Sequence, residues 1–418
     1  MYCLVDATSF YASAEKVFDP RIRHKPVVVL TNNDGCICAV CPIAKKLGIP
    51  KFTPYFQIKE LLHKHGVVIR SSNYELYADL SARMMTVIGR YGENQHIYSI
   101  DEAFLYFDPP HKAMNYWYDY GHKIRKAIWQ ETRLPVGVGF GTTATLAKAA
   151  NHASKKLSGF DGVAVIDTRE SATPILQRMK TAEVWGIGKR ITKQLASQNI
   201  YSAFDLAKQN PKDIRKQFSV VTERTVNELN GMPCLSWDDV QAPKKQIFST
   251  RSFGQRINDY HVLNAALASH ATIVAKKLRQ QSSQVKKLMV FASNSPHDYD
   301  YYKQATLYPF AMPTDNTSQL AQAVSLVLPK IYQSGINFYR CGVGAIELVS
   351  KKYQQGDLFM PDNSNPRLMQ CFDHINQRYG AGSIRVASAG QTEKWHMKRH
   401  FLSPQYTTNW RDIPKIRC

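Results

Sequence analysis

No stretch of this 418-residue chain approaches the roughly 20 consecutive apolar residues that a membrane-spanning helix needs, so no membrane partner is expected. The first residues, MYCLVDATSFYAS, lack the basic n-region and long apolar core of a secretion signal and read instead as a strand entering a helix. Acidic side chains are scarce. Thirty-three Asp and Glu face 54 Lys and Arg, a net charge of +21, and such an excess must meet acidic partners or persist as self-repulsion. Nucleic acid leads that class, and a generically basic surface is the plainer alternative; the salt dependence of DNA binding separates them. Eight cysteines are scattered along the chain, which without an export signal points to reduced thiols in a cytoplasmic protein. Cys36, Cys38 and Cys41 stand close together, but no second Cys/His couple follows, which argues against zinc. No internal repeat is evident.

What is present is enough apolar material for several cores, 44% of residues, and the length favours about two to four domains. The first third alternates apolar runs with helical periodicity, the outline of a mixed sheet backed by helices in an α+β multidomain chain. Strands are expected at Tyr2 to Val5, Pro26 to Leu30, His96 to Ile100, Ala103 to Phe107 and Val136 to Phe140. Helices are expected at Ser9 to Phe18, Tyr74 to Arg90, Ala113 to Glu131 and Ala144 to Lys156. From Ala172 to Leu235 the pattern changes to short helices broken by Gly and Asn. A Lys- and Pro-bearing linker at Ala242 then leads into a βαββαβ succession, the split βαβ arrangement, ending near Ser350. Beyond it lie a polar tether and a short C-terminal module.

Asp6 closes the apolar strand YCLV, facing either solvent at a sheet edge or a cleft. Asp101 and Glu102 interrupt the apolar runs IYSI and AFLYF, which places them in a tight hairpin turn. Asp-Glu suits such a turn poorly, because two-residue turns favour Gly and Asn, so an ordinary exposed turn competes with a functional reading. Three converging carboxylates would repel one another unless cations neutralise them. Mg²⁺, which takes hard oxygen ligands from few carboxylates plus water and phosphate, is the natural cation; two such ions support an in-line displacement.

The segments DATSFYASAE from Asp6, YSIDEA from Tyr98 and VGVGFGTTATLAKAANHASKK from Val136 together resemble the Y-family translesion DNA polymerases. NNDG from Asn32 and SSNYELYADLS from Ser71 narrow the likeness to the UmuC type, the catalytic subunit of bacterial DNA polymerase V, and it extends over nearly the whole chain. The resemblance implies a right-hand polymerase: palm at 1–25 and 71–170, small fingers at 26–70, and a helical thumb with a helix-hairpin-helix at 171–236. It further implies a βαββαβ little finger at 244–350, a tether at 351–364 and a UmuC-type C-terminal module at 365–418. It implies error-prone translesion synthesis in the SOS response, joining dNTPs to a primer on damaged template. With no second acidic cluster and no spare length for an exonuclease, no proofreading is expected.

By the same resemblance Asp6, Asp101 and Glu102 are catalytic and, with the Ala7 carbonyl, ligate two Mg²⁺ ions. Tyr11 is implied as the steric gate beneath the sugar, while Phe10 reads as core. Lys45 and Lys155 are implied triphosphate contacts, although helix lysines are commonly just solvated. The fingers depart from the UmuC pattern at Ala39-Val40-Cys41-Pro42-Ile43-Ala44-Lys45, which implies a more apolar roof over the nascent base pair. Ala144 stands where relatives often carry Lys. Gly186 and Gly188, followed by Lys189 and Arg190, read as a helix-hairpin-helix turn on DNA phosphate or as a plain turn. Arg251, Arg256, Lys286, Lys287 and Lys303 are candidate DNA-backbone contacts.

Gln355, Leu358 and Phe359 resemble the short peptide by which bacterial polymerases dock on the sliding clamp. The C-terminal module is implied to engage a cleaved UmuD-type dimer and a RecA filament, and the protein to work at the nucleoid. Two other classes remain open: a DNA-binding accessory or regulatory factor with a decayed polymerase site, and a two-metal nuclease.

Overall fold

A computed structural model of the chain describes residues 1–108, 114–234, 243–353, 365–380, 382–390, 395 and 397–414. Its contacts form two compact units, Met1–Ala242 with His400–Cys418, and Pro243–Arg399. Among the described residues no helix is long and apolar enough to cross a membrane.

The first unit is built on a mixed five-stranded sheet in the order β5-β6-β1-β7-β8. Its strands are β1 (Tyr2–Ala7), β5 (Asn94–Ile97), β6 (Glu102–Tyr106), β7 (Val136–Gly141) and β8 (Val163–Ile166). The central place of β1 follows from its sequence: Cys3 and Val5 pack into one core and Tyr2 and Leu4 into the cluster on the opposite face, so the run is apolar without alternation. Helix α1 (Phe10–Phe18) follows β1 through Ser9, whose φ of 49° turns the chain sharply. A second sheet, β3 (Ile37–Val40), β2 (Val27–Leu30) and β4 (Val68–Ser71), carries helices α2 (Pro42–Lys46) and α3 (Tyr55–Lys64) and runs into α4 (Tyr74–Ile88).

Helix α5 (Met114–Thr132) and helix α6 (Ala144–Lys156) complete the layers. Strand β7 reads VGVGFG, with glycines at every second position and therefore on one face. An added Cβ at Gly139 would lie 2.1 Å from the Asn151 amide nitrogen, and one at Gly141 2.3 Å from that of Ala147. The glycines thus let α6 lie directly against the strand backbone. The outer side of α6, with Leu146, Ala149 and Ala153, joins the core of α7 (Arg169–Arg178), α8 (Lys189–Ala196), α9 (Ala203–Ala207), α10 (Pro211–Gln217) and α11 (Val220–Leu229).

The second unit holds the βαββαβ succession: β9 (Ile247–Ile257), α12 (Tyr260–Gln280), β10 (Ser283–Ser293), β11 (Lys303–Thr314), α13 (Thr317–Val327) and β12 (Phe338–Ser350). The sheet order is β11-β10-β12-β9 with antiparallel neighbours, so β9 and β10 are parallel with β12 inserted between them. Helix α14 (Pro366–Arg378) follows. The segment expected as one C-terminal module is divided: residues up to Arg399 pack with the second unit, and the chain returns to the first unit at His400.

One local expectation is corrected. Asp101 and Glu102 do not form a two-residue turn: β5 ends at Ile97, β6 already begins at Glu102, and Tyr98 to Asp101 make the connection, with the Tyr98 and Ser99 amides donating to the Glu102 carbonyl. Tyr98 has the apolar character of a strand residue. Its ring instead packs on Phe104 and Trp185.

Candidate active site

Asp6 emerges at the C-terminal end of β1, directly across from Glu102 on β6 and Gly137 on β7. The Ala7 amide donates to the Asp101 carbonyl at 2.8 Å. Asp6 and the Asp101-Glu102 pair, 95 residues apart in sequence, are therefore brought together by strand register. Asp101 is oriented by its own turn, its Oδ1 accepting from the Ser99 hydroxyl at 2.6 Å.

Two lysines of α6 reach these acids. Lys155 Nζ lies 2.6 Å from Asp6 Oδ2, and Lys148 Nζ lies 3.1 Å from Glu102 Oε1. A Cβ at Gly137 would meet the Lys155 side chain at 2.5 Å, so this glycine opens the path from α6 to Asp6. Lys148 is seated against aromatic rings, 4.3 Å from the centre of Tyr98 and 5.0 Å from that of Trp185. At the start of α6, the buried Glu228 carboxylate accepts from the Thr145 amide at 3.0 Å, charge placed favourably on a helix N-terminus. Helix α6 is thus fixed at its first turn while Lys148 and Lys155 face the sheet.

Burial raises the Asp6 carboxyl above its ordinary value, Lys155 pulls it back, and the neighbouring Asp101 pushes it up again. Glu102 shows the same balance: burial raises it, Lys148 lowers it, and Asp6 and Asp101 raise it. Hard oxygen donors, clustered and costly to ionise together, suit a divalent cation completed by water and phosphate oxygens. Among the described residues no three acidic, histidine or cysteine side chains close on one point as a ready metal cage. The Lys155 and Lys148 ammonium groups offset part of the acids' charge.

A cavity of about 410 Å³ adjoins the acids, lined by Asp6, Tyr11, Cys38, Lys45, Asp101 and Lys155 among others. Its floor includes Ala7, Ser9 and the first turn of α1, where backbone N–H groups have no intrahelical partner. Lysines on one wall and helix N–H groups on another make it anion-accepting. Lys51 also lines it, and burial together with Lys51 and Lys155 pulls the Lys45 ammonium below its ordinary value. Phe10 is core, as expected. Tyr11 lines the cavity with its ring stacked on Tyr77 at 4.4 Å and set edge-on to Tyr74 at 6.4 Å. Burial pushes its hydroxyl up to about 12.

Of the segment Ala39 to Lys45 expected as a more apolar roof, Ala39 and Lys45 line the cavity, beside Cys38. Val40 and Cys41 are buried in the core, and the Cys41 sulfur caps α2 by accepting from the Ala44 amide. Ala144 lies in the apolar cluster with Tyr2, Leu4 and Phe104, one turn before Lys148. Lys148 and Lys51 escaped the sequence reading, although the seven-residue spacing of Lys148 and Lys155 on one helix face was a usable signal.

Gly186 has a φ of 85°, and Gly188 precedes α8, with Lys189 and Arg190 exposed at its start. Arg251 pairs with Cys341 across β9 and β12 and so shares the helix-covered face rather than the open one; Arg340, which sequence reading missed, stands on the open face and donates to Thr250. Arg256 is engaged by Asp298 at 2.8 Å and 3.0 Å, and Lys287 by Glu347 at 2.7 Å, while Lys286 and Lys303 are exposed. Gln355, Leu358 and Phe359 lie outside the described residues.

Comparison with known proteins agrees with this geometry. Residues 5–152 match the model of the impB/mucB/samB family, residues 244–358 that of its C-terminal domain, and residues 366–416 a domain of unknown function, DUF4113. The chain is 39% identical to protein UmuC of Salmonella typhimurium over 423 residues, covering 100% of both. It is 23% identical to DNA polymerase IV of Bacillus velezensis over 93% of each. Among solved structures, an insertion ternary complex of Dbh DNA polymerase matches with a TM-score of 0.56 at 18% identity, covering 84% of this chain and 99% of that one. A Dbh-Dpo4-Dbh Y-family polymerase chimera matches with a TM-score of 0.63 over the same shares. With full-length identity to the UmuC proteins and acids held together at the end of a central strand, the chain belongs to the UmuC type of Y-family DNA polymerases.

Proposed function

We propose that the chain extends a primer opposite damaged template in the SOS response, by divalent-metal-dependent nucleotidyl transfer at Asp6, Asp101 and Glu102. The observation that carries this reading is the register pairing of Asp6 with Glu102 beside the Ala7 to Asp101 hydrogen bond, next to a cationic cavity. DNA and nucleotides are the substrates of the family. Two Mg²⁺ ions, held by the three acids and the Ala7 carbonyl, would activate the primer hydroxyl and offset charge on the leaving pyrophosphate.

The chain's own groups do the rest. Lys45, Lys155 and the first-turn amides of α1 bind the triphosphate and offset the charge that develops on it. Tyr11, backed by Tyr77, is the floor against which a 2′-hydroxyl would clash. The expected ranges of palm, fingers, thumb and little finger are kept as the working division. Gly186, Gly188, Lys189 and Arg190, with Arg340 and the exposed Lys286 and Lys303, hold DNA phosphates without reading sequence. Gln355, Leu358 and Phe359 dock on the sliding clamp. The C-terminal module meets a cleaved UmuD-type dimer and a RecA filament near the nucleoid; unchanged binding of either by a chain lacking residues 365–418 would remove that assignment.

Primer extension with Mg²⁺ and dNTPs, run beside Asp101→Asn, tests the central reading. Extension that disappears in the variant supports it. DNA binding without extension by the unaltered chain would make it an accessory factor, and shortening of the primer would make it a nuclease.

A further inference from the structure

Residues 400–414 take no part in the site above, and the family model that reaches them is one of unknown function. They return to the first unit and lie against α1, α4 and the end of β4. The Phe401 carbonyl accepts from the Ser71 amide at 3.0 Å, and the His400 amide donates to the buried Asp34 at 2.8 Å. Phe401 packs edge-on against Tyr55 and Tyr406 stacks on Phe18 at 5.1 Å. These contacts anchor the strand of chain at both ends.

Between the anchors, one hydroxyl is oriented by two partners. Ser403 Oγ accepts from Asn73 Nδ2 at 2.9 Å and donates to Glu15 Oε1 at 3.1 Å. Asn73 is also the N-cap of α4, its Oδ1 accepting from the Leu76 amide. Glu15 is 1% exposed, and the same Oε1 accepts from the Tyr77 hydroxyl at 2.6 Å. Arg70 stands 3.6 Å from Oε2, an ion pair too long for a hydrogen bond, and that oxygen has no hydrogen-bond partner among the described residues. A buried carboxylate so placed depends on the few donors it has. Tyr77 is the ring on which Tyr11 stacks, and Glu15 sits one turn after Tyr11 on the same helix face.

We infer that Ser403 is a positioning residue for nucleotide selection: through Glu15 and Tyr77 the C-terminal strap fixes the seat of Tyr11, and with it the discrimination between deoxyribose and ribose. The inference rests on Tyr11 being the gate. Because the aromatic anchors hold the strap independently, the Ser403 hydroxyl can be removed without releasing the segment. Its loss leaves Glu15, among the described residues, with Tyr77 as its one remaining hydrogen-bond donor, and the Tyr77 to Tyr11 stack free to shift.

The test uses the full chain on primer-template DNA, comparing kcat/KM for a deoxynucleotide and its matching ribonucleotide. Ser403→Ala is expected to reduce sugar discrimination by about 3- to 10-fold, the share of a charge-assisted hydrogen bond that reaches the gate. Ser403→Thr, which keeps the hydroxyl, should restore it. Hydrogen exchange over Phe10–Phe18 should quicken in Ser403→Ala and not in Ser403→Thr; where extension is too slow to measure, the ratio of equilibrium affinities for the two nucleotides on the primer-template complex is read in its place. The inference is overturned if Ser403→Ala leaves discrimination unchanged while Tyr11→Ala admits ribonucleotides, whatever the exchange shows. Should Tyr11→Ala change nothing, the gate reading itself fails and this inference falls with it.

Discussion

Lys148 and Lys155 divide the acids between them, one at Glu102 and one at Asp6. Lys148, held by Tyr98 and Trp185, orients Glu102 rather than facing the cavity, so Lys148→Ala should lower kcat by about 10- to 100-fold, the usual cost of losing a group that orients a metal ligand. Single-nucleotide incorporation kinetics check this, with dNTP KM expected to rise less than in Lys155→Ala. In the second unit, His270 is buried against Ser249, its Nδ1 at 2.8 Å from the hydroxyl, and burial pushes it down to about 4. The folded state therefore binds fewer protons than the unfolded one between about pH 4 and 6.5, and stability rises with pH through that window. Its contribution is complete above about 6.5 and is lost towards 4, on the order of 3 kcal/mol. Slower hydrogen exchange of Tyr260–Gln280 at pH 7 than at pH 5, corrected for intrinsic rates, is the expected result, and His270→Gln should flatten the difference.

Strand β7 is the element on which the site turns. Its alternating glycines were visible in the sequence as part of a family-like segment, but their purpose is a close approach that only the packed helix reveals. Gly139→Ala should destabilise the first unit by roughly 1–3 kcal/mol or more by overpacking against α6. It should also reduce extension by displacing both lysines; urea unfolding and primer extension read the two effects. The hairpin shows the opposite failing. Tyr98 and Ile100 have the apolar character of a strand, yet they serve as packing residues in the connection, with the Ile100 carbonyl accepting from Ser81. Hydrophobicity marks burial, and burial by tertiary neighbours looks the same in one dimension as burial within a sheet.

Across the whole molecule, the net charge of +21 suits a polymerase that holds any template by its phosphates. Processive work calls for a tether, and replacing Leu358 and Phe359 with Ala should abolish binding to the sliding clamp in a pull-down while leaving extension on short templates unchanged. The domain of unknown function is shared between the two units, its last part from His400 packing with the first.

The sequence by itself determined the apolar strand that ends at Asp6 and the βαββαβ succession, because local periodicity carries these directly, while the roles of Asp6, Asp101 and Glu102 came from the family resemblance. It also carried the family. Only the tertiary structure decided that Lys148 attends Glu102, that Val40 and Cys41 turn into the core, that Arg251 faces the helices and that Ser403 reaches Glu15. Those are contacts between residues distant in sequence, fixed by strand register and helix packing, and no pattern of neighbouring residues encodes them.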